Sequence, residues 1–378
     1  MTKELKYLVL SDLHLGHAKN KSRDIIFNLN IFFDDYTPKS QFTDLDIIFI
    51  AGDLFDGLLD LSSSDIHEAS LWLSRLMNFC ARFNIKLRIL EGTPSHDWRQ
   101  SKIAETIACI IKLPLDFKYI NTLHIEYLED LQSYILYMPD EWTANAELSF
   151  SQVQTLLHEM QISQVDIAIM HGLFNYQLKH IVGNIQKHNE YDYLGIVKHF
   201  INIGHIHTFS TYERIIAQGS FDRLCHGEEE PKGAVLCTIS DKEDSFSFIE
   251  NKHAKIFKTI ELKSNDLEVS FKKIDRVISK LPDNSHVRIK AKKDNPIYTN
   301  LDELKLKYPM IYFSKVSIED IEEEYHLINT SADLSKEYSP IAITSENVRE
   351  LLLTEINNKY KLTDKQLVLF DNILAESI

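Results

Sequence analysis

The residues of this chain best suited to chemistry lie at the ends of short apolar runs. Leu8-Val9-Leu10-Ser11-Asp12-Leu13-His14 stops in Asp-x-His, and Ile47-Ile48-Phe49-Ile50-Ala51-Gly52-Asp53 stops in Gly-Asp. Ser95-His96-Asp97, His171-Gly172 and Gly204-His205-Ile206-His207 follow in order, each after a further run. Such a run reads as a buried strand that delivers polar side chains at its carboxyl end. Asp12, His14, Asp53, His171, His205 and His207 then offer carboxylate oxygens and imidazole nitrogens. That donor set suits manganese, iron or zinc and lacks the thiolates of a structural zinc site. Two ions about 3.5–4 Å apart clamp a phosphodiester, activate a water and neutralise the leaving oxygen. The pair needs a bridging carboxylate, for which Asp53, behind a glycine at a central strand end, is the candidate. His96 is placed to donate a proton to the leaving oxygen, with Asp97 orienting its imidazole. His17, His67, His158, His180, His188, His199 and His253 have no comparable setting and read as solvated or packed.

The elements that must position these residues alternate. Strands are expected at 6–11, 46–56, 86–91 and 165–170, with helices at 22–35, 64–83, 99–112 and 147–160. In the helix at 64–83, Leu71, Leu73, Leu76, Met77 and Cys80 are placed on one apolar side. The alternation predicts an α/β core with buried central strands. Strands near 213–218, 233–240 and 245–250 read as the second half of a two-sheet sandwich. The texture changes near Lys263-Ser264-Asn265-Asp266, so 1–262 is expected to be the main domain and 263–335 a small α+β domain. A polar linker and two amphipathic helices occupy 336–378.

Composition narrows the class. The chain has 378 residues, 44% hydrophobic and 26% charged, as ordinary globular proteins do. No apolar run approaches the ~20 residues a membrane helix needs, and the N-terminus passes straight into the first strand, so a cytoplasmic protein is expected. The four cysteines are scattered, which points to reduced thiols. A net charge of -15 excludes a surface coated in basic residues, although a local basic rim can still hold phosphates. Lys19, Lys21, Arg23, Trp98, Arg99 and Lys102 are the candidate local contacts to nucleic acid.

The ordered motifs resemble the calcineurin-like metallophosphoesterase superfamily, whose signature is D-x-H, G-D, G-N-H-[DE], H and G-H-x-H. Asp12-Leu13-His14-Leu15-Gly16, Gly52-Asp53-Leu54-Phe55-Asp56 and the stretch from Gln218 to Gly233 are similar, more narrowly, to SbcD-type nucleases. His226 stands there where an aromatic residue is usual. The resemblance implies a four-layer αββα sandwich, a capping domain, and C-terminal helices that grip an SbcC-type coiled-coil ABC ATPase. It implies a DNA nuclease of double-strand-break repair and recombination, using two divalent ions, with manganese favoured. Asp12, His14, Asp53 and His207 would hold one ion, and Asp53, His171 and His205 the other, with His96 as the catalytic histidine. Members commonly dimerise through helices of the nuclease domain, so a homodimer is an expectation too. The chain departs from the family in its third motif, where Ser95 takes the place of the asparagine ligand. The second site is then completed by the shorter Ser95 hydroxyl, by water or Thr93, or is shifted. Two other readings share these residues: a stand-alone phosphodiesterase or phosphatase for a small or nucleotide substrate, and a weakened phosphoesterase kept as a scaffold.

Overall fold

The computed structural model describes residues 4–140, 145–177 and 187–319, with isolated helical positions at 349, 353, 366, 367 and 370. Residues Met1–Ala332 form one compact unit and Asp333–Ile378 a second. The helical segment expected at 336–378 thus lies outside the described residues, apart from those isolated positions.

In chain order the strands are β1 (Leu5–Leu10), β2 (Ile47–Ala51), β3 (Lys86–Leu90), β4 (Phe117–Ile120), β5 (His124–Leu128), β6 (Ser133–Met138), β7 (Ile167–His171), β8 (Ile201–Gly204), β9 (Ser210–Tyr212), β10 (Ile215–Ala217), β11 (Gly233–Ile239), β12 (Ser245–Glu250), β13 (Phe257–Glu261), β14 (His286–Ala291) and β15 (Tyr312–Ser317). The helices are α1 (Ser22–Phe32), α2 (Ser64–Phe83), α3 (Pro94–Asp97), α4 (Ile103–Ile111), α5 (Ala146–Glu159), α6 (Glu190–Ile196), α7 (Leu267–Ile278) and α8 (Leu301–Lys307).

Two six-stranded mixed sheets carry the core, in the orders β12-β11-β1-β2-β3-β4 and β5-β6-β7-β8-β10-β9. Strands β1 to β4 run parallel, as do β6, β7, β8 and β10. The period-2 alternation of β1 explains why it is apolar throughout. Leu8 and Leu10 pack under α1, α2 and α4 on one face, while Tyr7 and Val9 meet Tyr137, Ile167 and Ile169 of the second sheet. Val153 and Leu157 of α5 and Tyr193 of α6 cover the far face of that second sheet. The layers are therefore helices, sheet, sheet, helices.

The strands at 233–239 and 245–250 do not build the second sheet, as their alternation suggested. They extend the first, with β11 antiparallel to β1; the second sheet starts earlier, at β5. Alternation reports burial on one face and is silent about which edge a strand joins. In α2 the buried stripe is Ile66, Ala69, Trp72, Leu73, Leu76, Met77 and Cys80, whereas Leu71 is half exposed. Leu71 falls off the stripe because each helical residue turns by about 100°.

The remaining sheet, β13-β14-β15, is parallel and carries its own core of Ile260, Ile274, Val287, Ile289 and Leu304. Its first strand, Phe257–Glu261, precedes the 263 boundary expected from composition, because it pairs with β14 rather than with the sandwich. No helix among the described residues is long and apolar enough to cross a membrane.

The two sheets meet closely at the carboxyl ends of β2, β7 and β8. A Cβ on Gly204 would lie 2.0 Å from Ser11 Oγ, 2.4 Å from the Ala51 carbonyl and 2.8 Å from His171 Nδ1. Gly204→Ala should therefore force the strand ends apart at a cost of about 1–3 kcal/mol. A lowered Tm and weakened metal uptake would show it, and a variant with unchanged Tm and uptake would contradict the close approach.

Candidate metal centre

Sharp turns at the strand ends gather the motif residues. Asp12, His14, Asp53 and His205 all have positive φ (52°, 48°, 49° and 100°), a backbone state that costs non-glycine residues energy and concentrates at functional sites. It lets Asp12 and His14, two apart after β1, both turn inward. Asp12, His14, Asp53 and His171 are buried almost completely.

Three overlapping groups result: Asp12–His14–His207, His14–Asp53–His96 and Asp53–His171–His205, each with ligand atoms within 4.8 Å of one another. These buried groupings could hold metal ions. Asp53 belongs to two of them, as a bridging carboxylate must. Its Oδ1 lies 3.2 Å from His171 Nε2 and its Oδ2 3.7 Å from His14 Nε2. Asp12 sits 3.8 Å from His207 Nε2 and accepts the His205 backbone N–H at 3.0 and 3.1 Å.

The outer partners of the imidazoles test the fit. His14 Nδ1 faces Asp56 Oδ1 at 3.0 Å, His207 Nδ1 faces Glu228 Oε1 at 2.9 Å, and His171 Nδ1 faces the Ala51 carbonyl at 2.7 Å. All three partners are acceptors, so each Nδ1 carries a hydrogen and Nε2 is the nitrogen each ring turns into the centre, where it holds either a proton or a metal. His14 Nε2 and His207 Nε2 are then 3.1 Å apart with nothing between them to donate. A cation or extra protons must fill that gap, and the oxygen–imidazole set accommodates a borderline divalent ion.

Charge in the centre divides accordingly. Burial opposes ionisation of Asp53, yet His171, His14 and His96 hold its carboxyl well below the usual carboxylate range. Burial also opposes a charge on His171, but Asp53 raises its pKa to about 10. Burial and the neighbouring His171 push His205 down to about 4. His207 is raised, Glu228 outweighing burial, and Glu228 itself falls to about 2 against its burial because His207 and Lys232 surround it.

Two sequence expectations are corrected. Ser95 is exposed on α3, its carbonyl taking the Trp98 indole N–H at 2.9 Å. The hydroxyl that enters is that of Thr93, 3.2 Å from Asp53 Oδ2, 3.3 Å from His171 Nε2 and 3.1 Å from His205 Nδ1. Pro94 starts the short helix directly after Thr93, which leaves Thr93 facing the cluster and turns Ser95 outward.

Asp97 does not orient His96. It is fully buried and its carboxylate accepts the backbone N–H groups of Phe55 (2.9 Å) and Gly92 (2.7 Å), which ties the Asp53 loop to the Thr93 loop. The group beside His96 Nδ1 is Asp56, through its carbonyl at 3.2 Å and its carboxylate at 3.8 Å. Thr93 is the alternative the third motif offered for completing the second site, while Asp56 and Glu228 are functional positions to which the motifs assigned no role. Asp56 was signalled by Gly-Asp-x-x-Asp and Glu228 by the Gly-Glu pair after Arg223.

The expected nucleic-acid contacts Lys19, Arg23, Trp98, Arg99 and Lys102 are all exposed. Trp98 and Arg99, both left-handed at φ 47° and 56°, directly follow α3. Arg23 lies on α1, 3.7 Å from Asp24. His17 is half-buried and accepts the Lys19 and Asn20 backbone N–H groups.

Fold and centre together define a mixed α/β protein with a buried carboxylate–imidazole cluster able to hold metal. No protein-family model matches the chain, and no curated protein matches it. Solved structures resemble it at low identity. The protein TT1561 of Thermus thermophilus is 9% identical, with 65% of this chain and 99% of that chain covered and a TM-score of 0.38. GAP50, the anchor in the inner membrane complex of Plasmodium, is 12% identical over 66% and 85%, with a TM-score of 0.36. Glutamine-dependent NAD+ synthetase from Acinetobacter baumannii is 11% identical over 94% and 73%, with a TM-score of 0.30. At these scores the likenesses carry no argument about function.

Proposed function

We propose that this chain is a manganese-dependent DNA nuclease of the calcineurin-like metallophosphoesterase type, the SbcD-like subunit of a cytoplasmic ATPase–nuclease complex. The observation that carries the reading is the meeting of all five motif ends in one buried cluster, with Asp53 shared between two metal-capable groups. Asp12, His14, Asp53 and His207 would hold one ion, and Asp53, His171 and His205 the second, with the Thr93 hydroxyl beside it. When bound, the ions supply charge neutralisation for the phosphodiester and its leaving oxygen.

The remaining work falls to side chains. Asp56 and Glu228 fix the tautomers of His14 and His207, so that both present Nε2. His96, about one-third exposed at the rim, can reach a leaving oxygen and pass it a proton, while Asp56 holds its other nitrogen. The layer of helices, two sheets and helices supports assignment to the superfamily's αββα core. Residues 336–378 would dock onto an SbcC-type coiled coil as a helix-in-groove pair. Deleting 340–378 should abolish capture of that partner and leave cleavage intact; loss of cleavage in the truncated chain would count against it.

The decisive assay is cleavage of linear double-stranded DNA under saturating manganese. Wild type should cut, and His96→Ala should lose about 10²–10⁴-fold in rate while still binding manganese. A His96→Ala rate equal to wild type would remove the proton-donor role. Hydrolysis of bis(p-nitrophenyl) phosphate without DNA cleavage would shift the reading to a stand-alone phosphodiesterase. Inertness toward both would leave a scaffold.

A further inference from the structure

Away from the metal centre, a cavity of about 440 Å³ lies where α1 meets the amino ends of the three parallel strands of the small sheet. None of the metal-capable residues named above lines it. Its walls include Arg23 and Phe27 of α1, Lys252 and Lys255 before β13, Ser285 before β14, and Tyr312 at the start of β15. The volume falls in the range of small-ligand sites, roughly 300–1,000 Å³.

Two features set this cavity apart from an ordinary surface dent. The first is aromatic. Phe27 is 61% exposed and Tyr312 56% exposed, and they reach the cavity from different elements. Tyr312 also ends a row of stacked rings. Phe257, His286 and Tyr312 are register neighbours on adjacent strands, with centroids 4.8 and 4.7 Å apart and planes within 29° and 24°. That row finishes on an edge strand, on a ring largely open to solvent. A planar ligand ring there continues the stack, an arrangement tolerant of any base.

The second feature is charge. In a chain of net charge -15, Arg23, Lys252 and Lys255 face this cavity against Asp24 and Asp283. Asp24 holds Lys255 at 3.1 Å, and the Arg23 Nε lies 3.7 Å from the other oxygen of the same carboxylate, with the Arg23 side chain 80% exposed. Lys252 is exposed as well. Asn28, His253 and the exposed Asn284 add neutral polar groups, and Ser285, whose hydroxyl donates to the Pro282 carbonyl at 2.6 Å, offers an acceptor oxygen. Aromatic rings for a flat apolar face, cations for an anion and neutral polar groups for ring edges together match one ligand class.

We propose that this cavity binds a nucleoside 5′-monophosphate unit, its base against Phe27 and Tyr312 and its phosphate on Arg23 and Lys252. The unit comes either free or as part of a single strand, and the site acts independently of whether the metal centre cuts DNA. The test is isothermal titration of the full chain, in EDTA so that the metal centre holds no phosphate, with dAMP in one arm and a single-stranded decadeoxynucleotide in the other. Saturable binding of either probe is expected, weakened about 10-fold by Phe27→Ala, by Tyr312→Ala and by Arg23→Glu. Manganese binding by the three variants should match wild type, which shows that they are folded. Tighter binding of the oligonucleotide identifies a strand, and equal or tighter binding of dAMP a free nucleotide. The proposal is overturned if neither probe saturates, if equimolar inorganic phosphate displaces dAMP, or if the three variants bind as wild type does.

Discussion

Asp53→Asn should abolish manganese binding and, with it, turnover of any phosphodiester. Both oxygens of Asp53 are committed: Oδ1 takes the Thr93 backbone N–H at 2.6 Å and lies 3.2 Å from His171, while Oδ2 faces the Thr93 hydroxyl and His14. An amide keeps the shape but places an N–H₂ where one of these oxygens receives a proton, and it removes the carboxylate common to two metal-capable groups. Changes to outer partners of metal ligands typically cost about 10–100-fold in affinity, so loss of a shared direct ligand should exceed roughly 100-fold. Thermal unfolding reads this without an activity assay. An ion at about 100 times its Kd stabilises a folded protein by about 2.7 kcal/mol, so wild type should gain Tm with manganese and Asp53→Asn should not. Equal gains in the two proteins would remove Asp53 from the centre.

The second large effect concerns the seam between the sheets. Arg88 on β3 and Glu126 on β5 form a two-pronged ion pair across it, with Nε–Oε2 at 2.9 Å and Nη2–Oε1 at 3.0 Å. Lys118 and Tyr137 also donate to the Glu126 carboxylate, at 2.5 and 2.9 Å. Arg88 is 1% exposed, so Glu126→Ala strands a buried guanidinium, a loss of about 3–5 kcal/mol for a pair of this kind. Asp116, 2.8 Å from Nη2, retains part of the compensation and places the expectation near ~3 kcal/mol. Replacing both partners, Arg88→Met with Glu126→Leu, should recover most of that stability, because no buried charge is left unpaired and Asp116 and Lys118 are half exposed to water.

The same pair fixes a pH dependence. Burial works against the charge on Glu126, but Arg88 and Lys118 lower its pKa from 4.5 to about 2. A carboxyl that ionises more readily folded than unfolded contributes stability above the unfolded value, and that contribution fades as pH falls from about 4.5 toward 2. The Tm difference between wild type and Glu126→Gln should therefore shrink across this window. A difference that stayed constant across it would mean that the carboxylate carries no such weight.

Much of the centre was legible in one dimension because its parts are local. Each strand end is a few residues long, and an apolar run stopping in Asp-x-His or Gly-Asp carries both the burial and the chemistry. Asp12, His14, Asp53, His171, His205 and His207 all arrive where that logic puts them. The small sheet was harder to delimit, since Phe257–Glu261 looks like any other alternating strand and only its partner β14 separates it from the sandwich. The same is true of β11 and β12, whose alternation is correct and whose sheet membership is set by an edge of β1 distant in sequence.

What the amino-acid sequence settled by itself was which residues could ligate and which runs would be buried, because both depend on side-chain type and periodicity. Tertiary structure alone decided which neighbours serve them. Thr93 rather than Ser95 enters the cluster, and Asp56 rather than Asp97 stands by His96, because turn geometry rotates nearby side chains to opposite sides. Neighbouring positions are equivalent in a motif and opposed in space, and only the folded backbone breaks that equivalence.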